Sequence, residues 1–265
     1  MKFFILYLSL SLYAIGAEVL KLGILPHMSS TRLQAIYSPL RVKLTQVLDT
    51  KVSMHTTKGF KDYTKALDNG VYDIALIQPF DYPWLHKKHM YIPLARRDTP
   101  LEALVVVKDN SVYKNINDLK NKRISVIAQT AAVIQIFHHE LKAKEIDVDK
   151  EFNFIPANNH FTCMQMVLLD KVEACVTLDK AKSWFELQKK MRPFKVVFRS
   201  QVYPHTLFVI HPRVSLEQRN KIQKVLLKWD DRPSHIRSKN LDKSVFVIAK
   251  DSDYDVVRNV LKESK

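Results

Sequence analysis

The sequence predicts an α/β protein of two lobes, each a mixed, mostly parallel sheet flanked by helices, with a ligand cleft between them. Three observations predict this. Short strand-like runs alternate with helical patterns along most of the chain, as in parallel sheets joined by crossover helices. The order strand, helix, strand, helix, strand occurs twice. No residues recur at a fixed period, so the duplication is one of pattern.

In the first half, Val19 to Leu25 reads as a strand and Thr31 to Leu48 as an amphipathic helix. Lys51 to His55 is a second strand, a helix runs through Tyr63 and Leu67, and Asp73 to Ile77 is a buried strand. Leu104 to Val107 opens the second half as a strand, and Asn117 to Leu119 starts a short helix. The strand Arg123 to Ile127 leads to a helix from Ala131 to Lys144, the strand Phe152 to Ile155, the helix Cys163 to Leu169 and the strand Ala174 to Thr177. Beyond these lie the strands Lys195 to Phe198 and Thr206 to Ile210, a helix from Ser215 to Trp229 and a terminal helix from Tyr254 to Lys262. The polar stretch Asp230 to Asp242 is the expected return to the first lobe. The expected lobes are therefore residues 18–99 plus 236–265, and 100–235.

Residues 1–17 have the charged start, apolar middle and small-residue end of a secretory signal, with cleavage expected near Ala17. That places the mature chain in the periplasm. The formal charge is +15, or +14 without Lys2. Such a balance attracts anions at long range. The lysines are scattered singly or in pairs such as Lys87-Lys88, however, and no basic cluster or nucleic-acid motif occurs, so nucleic acid is not an expected partner. Cys163 and Cys175 are the two cysteines, too few for a disulfide-built scaffold. Whether they join is open at this point, since they sit in a helix start and a strand. Read with Met164 and Met166 they lack the spacing of a metal site, and no metal or cofactor is expected.

Leu22-Gly23-Ile24-Leu25-Pro26, Tyr37-Ser38-Pro39-Leu40, Gly70-Val71-Tyr72-Asp73-Ile74-Ala75 and Pro79-Phe80-Asp81-Tyr82 form an ordered set. It continues with Ile116 to Ile124 and with Asp253-Tyr254-Asp255-Val256-Val257-Arg258. The set resembles the phosphonate- and phosphite-binding periplasmic proteins from about Val19 to the C-terminus. The resemblance implies a class II periplasmic-binding fold, closure over a ligand in the cleft, and no chemistry on that ligand. Two departures bear on the ligand. Where the family carries a Ser-Thr-Ser-Gly-like turn, this chain has Gln129-Thr130-Ala131-Ala132, and Phe161 replaces the acid that follows the histidine matching His160.

Open α/β sheets bind ligands beyond the carboxyl ends of their strands. The candidate contacts are therefore Met28, Ser29 and Ser30 in the first such loop, Lys58 in the second, and Gln78 and Tyr82 in the third. In the second lobe they are Gln129, Thr130, Ala131, His160, Phe161 and Asp179. Thr130 with the first amides of its helix is the leading anion contact, because those donors lack intrahelical partners. Each candidate has a structural alternative: a cap for Thr130 and the serines, packing for Tyr82, a hydrogen bond for His160. The expected function is solute capture for an inner-membrane ABC permease, and the alternative is docking on the periplasmic domain of a sensor histidine kinase. An enzyme on this fold lacks a positive argument, since no nucleophile elbow, phosphate-cradling loop or His-Glu-x-x-His motif occurs.

Overall fold

The structure is a computed structural model that describes residues 19–230 and 245–263; the signal segment and most of the stretch from Asp230 to Asp242 lie outside them. The chain runs β1 (Leu20–Ile24), α1 (Ser30–Leu48), β2 (Val52–His55), α2 (Phe60–Asp68), β3 (Ile74–Ile77), α3 (Tyr82–His89) and β4 (Ile92–Arg97). It continues through β5 (Leu104–Lys108), β6 (Arg123–Val126), α4 (Ala132–Lys142), α5 (Val148–Glu151), β7 (Asn153–Pro156) and α6 (His160–Leu168). Then follow β8 (Ala174–Thr177), α7 (Asp179–Lys189), β9 (Phe194–Arg199), β10 (Leu207–Ile210), α8 (Leu216–Leu227), β11 (Phe246–Ile248) and α9 (Asp255–Glu263).

Two sheets form. The first has the order β11-β4-β10-β3-β1-β2 and the second β7-β6-β8-β5-β9. In each, three strands are parallel (β2, β1 and β3; β7, β6 and β8), as their βαβ crossovers require. β10, β11, β5 and β9 pair antiparallel. The central strands β3 and β8 are buried throughout, and apart from Thr177 at the end of β8 they read as apolar runs. α1 is helical because Leu33, Tyr37, Leu40, Leu44 and Leu48 fall on one buried face.

The return to the first lobe comes earlier than expected. β10 lies in the first sheet between β4 and β3, and α8 packs on α1. The second lobe therefore ends near Ser200, and 207–230 belong to the first, not to the expected range ending at 235. The two crossing segments pair as one antiparallel ribbon: Leu101 and Tyr203 exchange both backbone hydrogen bonds at 2.9 Å, and the Arg97 amide donates to the Thr206 carbonyl at 3.0 Å.

Several shared-motif residues have local reasons. Gly23 is needed because a Cβ there would stand 2.6 Å from the Tyr72 ring, which stacks on Tyr63 at 5.3 Å between centroids. Asp73 is buried, accepts from the Lys21 amide at 2.6 Å and holds the Arg213 guanidinium, tying the turn before α8 to β3. Cys163 and Cys175 are joined by a disulfide, Cα to Cα 5.6 Å, which fastens α6 to β8 in the second lobe's own apolar cluster with Val167 and Phe185. Among the described residues, no helix is long and apolar enough to cross a membrane.

Candidate functional site

The loops that follow the parallel strands of the two lobes bound the inter-lobe cleft and meet across it in two places. Gln78, after β3, reaches into the second lobe: its Nε2 donates to the Thr130 carbonyl at 3.1 Å and its Oε1 accepts from the Ala132 amide at 2.8 Å. Farther out, Arg32 at the start of α1 stacks over the indole of Trp184 on α7, 5.6 Å from the ring centroid. Both contacts cross between the lobes, so the strand-end loops of the two sheets do face one another.

The expected residues fare differently within this cleft. Ser29 and Ser30 are exposed at the α1 start, and Ser29 occupies the cap position without a side-chain cap bond. Met28 is half-buried against the main core, and Lys58 is exposed. Gln129 is exposed beside Phe80 in a groove along α4 of about 620 Å³. Both amides expected to seat an anion at α4 already have partners within the chain. Ala131, not Thr130, holds the cap position; the Ala131 amide donates to Ala128 at 2.9 Å and the Ala132 amide to Gln78. Thr130 contributes its carbonyl to Gln78 and Gln135, and its exposed side chain does not cap α4.

Tyr82 is fully buried. Its hydroxyl donates to Asp251 at 2.6 Å and its ring packs on Tyr254, so it presents nothing to the cleft. His160 opens α6 and its Nδ1 lies 3.0 Å from the Thr177 hydroxyl; desolvation pulls its pKa down to about 4, which keeps it neutral near pH 7. Phe161 packs on Phe185 at 4.6 Å with the Lys189 ammonium 5.5 Å above its ring. Asp179 is exposed and 3.7 Å from Arg199, which also binds Glu102, so it belongs to an ion-pair network at the end of β9.

Sequence reasoning missed the residues around the ribbon. His205 is half-buried there, and its Nδ1 accepts from the Thr206 amide at 2.7 Å. Its pKa lies well below the ordinary value, chiefly through desolvation and then through the positive charges of Arg97, Lys180 and His27. Those three come from the end of β4, the first turn of α7 and the loop after β1. The charge surplus was the available signal, but no local pattern joins these four positions. Asp81 is the second omission. It is buried after β3, its Oδ2 has no partner, and desolvation raises its pKa to about 6.

The family model for phosphonate periplasmic substrate-binding proteins of ABC transporters matches residues 22–254. The chain belongs to that family. Solved phosphonate receptors share its fold: PhnD1 of Prochlorococcus marinus, in complex with methylphosphonate, aligns with a TM-score of 0.75 at 16% identity over 93% of this chain and 98% of that one. A binding component of a phosphonate ABC transporter from Pseudomonas aeruginosa aligns at 0.73 with 17% identity, over 92% and 85%. The amino-acid-binding protein AabA of Dichelobacter nodosus is 26% identical over 170 residues, 64% of this chain and 63% of its own length. The architecture is thus the class II periplasmic-binding fold, and the family is one of substrate-binding proteins rather than enzymes.

Proposed function

We propose that the mature protein is a periplasmic receptor that captures a small anionic solute in the inter-lobe cleft and delivers it, chemically unchanged, to an inner-membrane ABC permease. What supports the anionic part is the match to a family of phosphonate receptors over residues 22–254, with a formal charge of +15 adding long-range attraction. Closure follows where the ligand touches both lobes, since it then binds the closed state better than the open one. Amine-bearing phosphonates are disfavoured, because Phe161 and Lys189 offer an ammonium no carboxylate.

Native mass spectrometry of protein purified without denaturation identifies the retained solute. Calorimetry across phosphate, phosphite, phosphonates, sulfonates and carboxylates then ranks it. The expected result is an anion bound tightly and released intact. Retention of a neutral or cationic solute sinks the anionic reading, and a chemically altered product sinks the receptor reading.

A further inference from the structure

We infer that Gln78 is a latch that fastens the two lobes to each other through groups of the chain alone, so that the free protein already populates the closed cleft. The inference takes from the receptor reading above only the opening and closing of the lobes, and it holds whatever the solute is.

The latch is set in place from both sides. On the first lobe, Gln78 follows β3 and precedes Pro79, which favours its extended backbone at φ −76 and ψ 154, and its carbonyl accepts from the Asp81 amide at 3.1 Å. On the second lobe, the Thr130 carbonyl that receives Nε2 also accepts from the Gln135 side chain of α4 at 3.0 Å. The Ala132 amide that donates to Oε1 belongs to the first turn of α4, whose amides have no partner inside the helix. These two backbone groups fix which way the carboxamide faces, because its nitrogen can only donate to a carbonyl and its oxygen can only accept from an amide.

Neither bond survives opening, since each joins the loop after β3 to the start of α4 in the other lobe. Gln78 is 6% exposed, so in the closed form the pair is shielded from competing water. Opening hands the carboxamide and the Ala132 amide to water, which offsets most of the loss but not all of it. Arg32 adds a second fastening over the indole of Trp184, which Phe161 meets edge-on at 6.2 Å. Contacts made only when the lobes meet shift the equilibrium towards closure by their own free energy. A cleft fastened in this way closes with less help from the solute and releases it more slowly.

Double electron–electron resonance between nitroxides on Val42→Cys and Leu187→Cys, exposed positions on α1 and α7, reads the closed and open populations; Cys163 and Cys175 are bonded to each other and take no label. Without added solute, the mature chain is expected to show the closed separation. Gln78→Met, which keeps the length of the side chain but neither bond, is expected to lower the closed-to-open ratio about tenfold, and Gln78→Ala at least as much. Ala132→Pro deletes one of the two bonds from the other lobe. Ala132 is the first residue of α4, where proline is tolerated, and Ala131 before it is already extended at φ −69 and ψ 136. Added to Gln78→Met it is expected to open the cleft no further, because the bond it deletes is already gone. Circular dichroism and the thermal midpoint identify the folded variants, and the two Gln78 variants decide the matter if Ala132→Pro is not among them. An unchanged ratio in a folded Gln78 variant, effects that add in the double variant, or a wild type found only at the open separation overturns the latch. Methylphosphonate or inorganic phosphate is then expected to restore the closed separation in Gln78→Met. If neither does, the anionic receptor reading fails, while the latch stands on the populations measured without solute.

Discussion

Replacing Asp81 by Asn should stabilise the protein at neutral pH and leave it unchanged at pH 4. The carboxylate is 9% exposed, and its Oδ2 has no partner. Burial raises its pKa from 3.8 to about 6, against lowering by the Gln78 backbone and the Trp84 side chain. The folded pKa lies above the unfolded one, so the contribution to stability is complete below about pH 4 and is lost as pH rises through about 6. At about 1.4 kcal/mol per pH unit, the ionised group costs about 3 kcal/mol at pH 7.5. Asp81→Asn removes the charge and keeps an acceptor, for an expected gain of about 2 to 3 kcal/mol, or about 4 to 10 °C in thermal midpoint. Urea unfolding of both proteins at pH 4 and pH 7.5 measures it. His160, depressed to about 4, makes both proteins lose stability as pH falls below about 6.5, and this cancels in the difference. A variant less stable than wild type at pH 7.5, or a difference independent of pH, refutes the reasoning.

Two further substitutions separate structural from ligand roles. Tyr82→Phe deletes the hydroxyl that Asp251 accepts, and should cost about 1 to 2 kcal/mol in denaturant unfolding while leaving anion affinity unchanged; a tenfold affinity loss would put Tyr82 back in the cleft. Gly23→Ala drives a methyl into the Tyr72 ring, which Tyr63 backs from the other side, and should destabilise by about 1 to 3 kcal/mol. A thermal midpoint equal to wild type would mean that the ring has room to move.

The architecture was legible because hydrophobic periodicity reports how a segment is buried. β3, apolar at every position, and β8, apolar up to Thr177, announced buried strands, and the spacing from Leu33 to Leu48 announced a helix face. Periodicity does not report which sheet a strand joins. Leu207–Ile210 is four buried residues that either sheet could accept, and its place between β4 and β3 is set by pairing across more than a hundred residues. The same limit applies to the site. Strand order located the loops, but the direction of each side chain depends on packing: Tyr82 turns back toward Asp251, and Gln78 crosses to a helix in the other lobe. Arg97 and His205 lie on the crossing ribbon, outside the loops beyond parallel strands that strand order marks out.

β10 is laid between β3 and β4, so these two strands have no hydrogen-bonded neighbour in common until residue 210 is available. The second sheet needs only 104–199, a single uninterrupted stretch. A chain that emerges amino end first therefore completes its second lobe while the first is still an open sheet with raw edges at β3 and β4. A nascent or partly translocated molecule stopped just short of residue 207 is one finished lobe trailing an unfinished one, and it is this half-built form that chaperones and proteases meet.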